Sequence, residues 1–129
     1  MLKLKDTTVN VAGLRSVMYF ALGIADAAFV YAGQDCVITA AVDGEHNPGS
    51  KHPMGLAVDI RNSSLDPVMH DLVFHKLQRL ELYGYDVIDE KAGQTGKTTA
   101  EHFHIEYDPK PGELTSIFGA SAHEQLANQ

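Results

Sequence analysis

Ser50-Lys51-His52-Pro53-Met54-Gly55-Leu56-Ala57-Val58-Asp59-Ile60-Arg61 is a tight turn running into a short strand. Gly55 supplies the backbone freedom for the turn, and the branched aliphatic residues after it supply the strand. Side chains alternate along a strand, so Leu56, Val58 and Ile60 belong to a buried face while Ala57, Asp59 and Arg61 belong to the opposite one. Ala57 is small and leaves room beside the Asp59 carboxylate, and the turn swings His52 back over the strand end. Ser50, two residues before His52, is placed to orient the loop. About forty residues on, Glu101-His102-Phe103-His104-Ile105-Glu106-Tyr107 has the same alternation. His102, His104 and Glu106 share one face, and Glu101 must sit in a bend before the strand pairs. The two segments together offer two imidazoles and a carboxylate of the kind that hold zinc, with a further carboxylate able to activate a water. On spacing alone, His102 rivals His104 as a ligand and Glu106 rivals Glu101 as the base.

Outward from these motifs, helix and strand signals alternate. Leu14, Val17, Met18, Ala21, Ala25, Ala28 and Phe29 recur at three- and four-residue intervals, predicting a long helix that ends near Gly33. Cys36 to Ala41 reads as a strand, and the turn formers from Asp43 to Gly49 deliver the chain to the first motif. Asp66 to Tyr83 reads as a second helix, capped by Ser64 or Asp66 and stopped by Gly84. Tyr85 to Asp89 and His102 to Tyr107 read as strands separated by a small, polar loop at 91–100. A weak helix is expected from Glu113 to about Leu126. The predicted class is α+β, a small, largely antiparallel sheet with helices packed on one face.

A length of 129 residues and 44% hydrophobic content support one domain with one core. The motif-bearing part spans about 36–108, and 113–129 forms a helix or tail. The formal charge of -7 lacks the basic footprint that nucleic acid attracts. The single cysteine, Cys36, sits in an apolar run and reads as a buried, inert thiol. Val17 to Gly33 is interrupted by Asp26 and falls short of the roughly twenty residues that span a bilayer. The first residues carry no long apolar stretch like that of a secretory signal, so synthesis is expected to end in the cytoplasm.

The pattern Ser50-x-His52-x-x-Gly55-x-Ala57-x-Asp59, followed by Glu101-x-x-His104, resembles that of the zinc D-alanyl-D-alanine carboxypeptidases and L-alanyl-D-glutamate endopeptidases. That family includes bacterial wall enzymes, vancomycin-resistance dipeptidases and phage endolysins, and the resemblance covers about Cys36 to Asp108. It implies zinc held by His52, Asp59 and His104, Glu101 as general base, and a sheet covered by helices as in the hedgehog amino-terminal domain. It also implies a peptidoglycan stem peptide as substrate; a monomer is expected, and a product made in the cytoplasm would need lysis or a holin-type pore to reach the wall. Many relatives carry an arginine after the strand preceding the first motif, where this chain has Asp43-Gly44-Glu45; Arg61, Lys51 or Lys97 would have to replace it. Three protein ligands leave a fourth position to water, whose pKa zinc lowers to about 7. Both histidines must be neutral to bind, so metal affinity is expected to fall as pH drops through about 6.

Two other readings fit part of the pattern. One is a metal-stabilised binding or structural module of a phage particle, without turnover. The other is an iron oxygenase, whose triad also has two histidines and a carboxylate, although its first pair is normally His-x-Asp and here six residues separate His52 from Asp59.

Overall fold

The computed structural model describes residues 1–44, 48–91 and 101–110. Its strands are β1 (Leu2–Leu4), β2 (Cys36–Ala40), β3 (Ala57–Arg61), β4 (Tyr85–Glu90) and β5 (His102–Tyr107), and its α-helices are α1 (Ser16–Tyr31) and α2 (Pro67–Gln78). The five strands form one mixed sheet in the order β1-β2-β3-β5-β4. Three of the four pairings are antiparallel, and β1 runs parallel to β2. The expected α+β class and mainly antiparallel sheet are both present. The expectations that fall on 45–47, on 92–100 and on the helix from Glu113 lie outside the described residues.

Both helices follow from their sequence patterns. On α1, Met18, Ala21, Leu22, Ala25, Ala28 and Phe29 are buried, with small alanines where the helix meets its neighbours. Leu14 is buried too, but ahead of the first turn. In α2, the Asp66 carboxylate accepts the Met69 N–H at 2.9 Å, so Asp66 rather than Ser64 is the cap, and Pro67 occupies the first turn. The α-helix ends at Gln78, short of the expected Tyr83, because Arg79–Tyr83 tightens into a 3₁₀ turn. Gly84 then stops it in the left-handed region at φ 94°. β1 had no sequence signal: its three residues are all exposed, and only pairing with β2 defines it.

The helices lie against one face of the sheet, where Ile38, Val58, Ile60, Val87, Phe103 and Ile105 join the core. Phe103 is fully buried and meets Phe29 edge-on at 6.4 Å and Phe74 in a stack at 5.6 Å. Anchoring Phe103 and Ile105 on the helix side forces His102, His104 and Glu106 onto the open face. Cys36 is fully buried, and burial, with the nearby Asp26 charge, pushes its thiol up to about 12, so no thiolate is present near neutral pH.

Gly55 closes the 3₁₀ turn His52–Met54 at φ 74°. A Cβ there would lie 2.1 Å from the Gly13 carbonyl oxygen, while Arg15 N–H donates to the Gly55 carbonyl at 2.9 Å. The turn is thus pressed against the segment that leads into α1. Gly55→Ala is expected to lose about 2 kcal/mol or more of stability in denaturant titrations. Gly23→Ala, on an exposed face of α1 with nothing within 4 Å of the added methyl, should gain up to about 1 kcal/mol.

Candidate metal centre

The site occupies the open face of the sheet, where cross-strand pairs form three rows. Asp59 on β3 lies opposite His104 on β5, and Ile88 on β4 follows in the same row. Arg61, His102 and Glu90 make the row on one side, and Ala57, Glu106 and Asp86 the row on the other. His52 reaches the central row from its 3₁₀ turn. The three predicted ligands, His52, Asp59 and His104, each place a donor atom within 4.8 Å of the other two. They can hold a metal ion.

The hydrogen bonds determine which nitrogen each ring offers. His52 is buried, and its Nδ1 lies 2.6 Å from the Ala41 carbonyl, which can only accept; Nδ1 therefore carries the proton. Its Nε2 is left facing Asp59 Oδ1 at 3.2 Å. His104 lies between two acceptors, with Nε2 2.9 Å from Glu106 Oε1 and Nδ1 2.8 Å from Asp59 Oδ1, so the neutral ring donates to one of them and the imidazolium to both. The neutral His52 ring therefore turns a lone pair at Asp59 Oδ1, and His104 does the same whenever its proton sits on Nε2. That arrangement is repulsive unless a cation, proton or metal, lies between them. Outer hydrogen bonds from ligand imidazoles to a carbonyl and a carboxylate are the usual support of a metal centre.

The ionisations follow from these contacts. Burial alone would raise the Asp59 pKa, but the close ring nitrogens of His104 and His52 and the nearby imidazole charge override it and hold the carboxyl well below the usual range. Burial would lower His104, but its bonds to Asp59 and Glu106, with both carboxylate charges, push it up to about 9. Without metal, a proton on His104 supplies the cation. Proton competition with metal therefore begins at a higher pH than the value near 6 expected of an ordinary histidine.

Other candidate residues find definite places. The Ser50 hydroxyl accepts the His52 backbone N–H at 3.2 Å, the loop-orienting role expected of it. His102 Nε2 lies 3.0 Å from Glu90 Oε2 and 3.6 Å from Asp59 Oδ1, so His102 lines the cluster. Glu106, a rival for the base, instead holds His104. Glu101 lies just before β5 and is exposed rather than part of the cluster. Lys51 Nζ is 3.9 Å from Asp108, and Lys97 lies outside the described residues. His70 pairs with Asp89 at 2.8 Å on the helix side, and His75 is exposed on α2.

Sequence reading missed Glu90 and the Ala41 carbonyl. Ala41 owes its place to a register shift between Ile38 and Ala40 and to Asp43, whose Oδ1 accepts from the backbone N–H of both Asn10 and Ala41, at 2.8 and 2.9 Å. A bulge re-aims the chain in this way without leaving a signal in a hydrophobic pattern. A second group of carboxylates, Asp86, Glu106 and Asp108, adjoins the site, and Lys110 Nζ already bridges Asp86 and Asp108 at 2.9 and 3.1 Å.

The chain has no match among family models, curated proteins or solved structures. Its class is thus set by fold and site alone: an α+β domain with a His52–Asp59–His104 cluster able to hold a metal ion.

Two outcomes are expected. A histidine raised from 6.5 to about 9 on folding contributes stability in full below its unfolded value and loses it as pH rises through its folded one. Metal-free protein should therefore lose thermal stability between about pH 6.5 and 9, whereas zinc-loaded protein should gain it, because ligand deprotonation favours binding. Glu106→Ala should weaken zinc binding by about 10- to 100-fold in competition with a chelator.

Proposed function

We propose that this chain is a zinc-dependent peptidase that hydrolyses peptidoglycan stem peptides, either as a D-Ala-D-Ala carboxypeptidase or as an L-Ala-D-Glu endopeptidase. The observation that carries this reading is the convergence of two imidazole nitrogens, His52 Nε2 and His104 Nδ1, on Asp59 Oδ1, supplied by residues at the spacing of the peptidase motif. A borderline-soft ion with two nitrogen ligands and one oxygen ligand fits zinc. Zinc in such a site polarises a peptide carbonyl and lowers the pKa of water to about 7.

The chain's own residues supply the remaining chemistry. The Ala41 carbonyl and Glu106 fix the ring orientations of His52 and His104. Glu101, at the solvent-facing entrance to β5, is assigned the proton transfer from water to the leaving amine, the role carried over from the resemblance. His102, held by Glu90, lines the same face. Ile88 is exposed in the row beside His104 and offers an apolar surface to a small side chain of the substrate. No described helix is long and apolar enough to cross a membrane. Action on the wall by a phage or prophage lysis enzyme, released when the host membrane is breached, suits this reading.

The test is digestion of purified peptidoglycan by zinc-loaded protein, with the released fragments identified by mass spectrometry. Free D-Ala alone indicates the carboxypeptidase, and new D-Glu amino termini the endopeptidase. Glu101→Gln should retain stoichiometric zinc while kcat falls by about 100-fold or more. A protein that binds zinc and releases no fragment would be the metal-stabilised binding module instead, and stoichiometric iron would exclude the zinc peptidase.

A further inference from the structure

The α1 helix is apolar on two sides. Within Ser16–Tyr31 only Asp26 carries a charge, and while Met18, Leu22 and Phe29 face the core, Phe20, Ile24 and Tyr31 remain exposed. A helix of that composition is ordinarily covered on its second side as well. Between this side of α1 and the segment 67–83 runs a groove of about 370 Å³, walled by Phe20, Ile24, Tyr31, Leu80 and Tyr83, with Lys76 and Arg79 on its border. The two segments lie antiparallel along it. Phe20 meets Tyr83 edge-on at 5.7 Å at one end, and Lys76 Nζ stands 4.5 Å from the centre of the Tyr31 ring at the other. In a chain with seventeen acidic and ten basic residues, neither Lys76 nor Arg79 has a carboxylate partner among the described residues. An apolar groove bordered by two such cations fits an amphipathic helix that brings acids of its own.

We propose that this groove is the docking site for 113–126 of the same chain, the stretch whose sequence reads as a terminal helix. Position, pattern and charge each point there. Residues 108–110 leave the sheet beside the Tyr83 end of the groove: Asp108 N–H donates to the Gly84 carbonyl at 3.0 Å, and a Cβ on Gly84 would lie 3.1 Å from Pro109 Cβ. A helix over 113–126 places Leu114, Ile117, Phe118 and Ala122 on one side. At about 1.5 Å per residue its length is about 21 Å, enough to follow α1 from Phe20 to Tyr31, about 16 Å. Residues 111–129 include Glu113 and Glu124 and no Lys or Arg. Entry at the Tyr83 end sets Glu113 near Arg79, and a further run of about 16 Å carries Glu124 toward Lys76 and Tyr31.

The experiment is carbodiimide coupling of the full chain, which joins an amine to a carboxylate where the two are in contact. Cross-linked peptides from the monomer are then mapped by mass spectrometry. The expected product is an amide between Lys76 and Glu124, and in Arg79→Lys a second one to Glu113. Phe118→Asp should lose both while thermal melting stays cooperative, and it should brighten the dye anilinonaphthalene sulfonate as the groove opens. Ile24→Asp, on the groove side, should lose both products as well. Absence of both products from the monomer, their survival in either aspartate variant, or coupling only within covalent dimers would overturn the assignment, the last by making a second copy the occupant. None of these readouts depends on turnover at the metal centre, so the outcome stands apart from the peptidase reading.

Discussion

The register between β3 and β5 is the constraint on which the site depends. Asp59 faces His104 across that pair only because Val58 opposes Ile105 and Ile60 opposes Phe103 on the reverse side. Phe103, wedged against Phe29 and Phe74, makes a one-residue slip prohibitive, since it would expose the phenyl ring and bury imidazoles in its place. The hydrophobic effect acting on one face thus sets polar geometry on the other. The site is held by the core without being part of it.

Around that register, polar contacts beyond the cluster set the chemistry. The Ala41 carbonyl takes the His52 proton and leaves Nε2 aimed at Asp59, and His104 lies between the Glu106 and Asp59 carboxylates. The result is a centre that requires positive charge, met by a proton on His104 when no metal is bound. Metal capture and acid–base behaviour are two consequences of the same arrangement. On the same face Glu90 is engaged by His102, and Arg61 has no carboxylate partner among the described residues.

Much of the fold was legible from local pattern. The period of α1, the Asp66 and Gly84 boundaries of the second helical segment, and the alternation of β3 and β5 reflect short-range physics, and the structure follows them closely. β1 was not legible, because three exposed residues become a strand only through a partner more than thirty positions away. The 3₁₀ ending of the second helical segment and the β2 irregularity were likewise beyond hydrophobic periodicity, since neither changes which residues are apolar. Glu101 illustrates the limit for the site. Its spacing to His104 matched a motif and its place ahead of β5 was foreseen, but its exposure depends on the surrounding chain.

The sequence by itself determined the donor types, their spacing and the faces they occupy, because strand alternation and the turn at Gly55 are local properties of the backbone. Only the tertiary structure decided which nitrogen of His52 is free, that His104 lies between Asp59 and Glu106, that Glu90 engages His102, and that Arg61 has no partner among the described residues. Those outcomes are set by contacts between strands far apart in the chain, and no local pattern encodes which of several carboxylates will arrive beside a given ring.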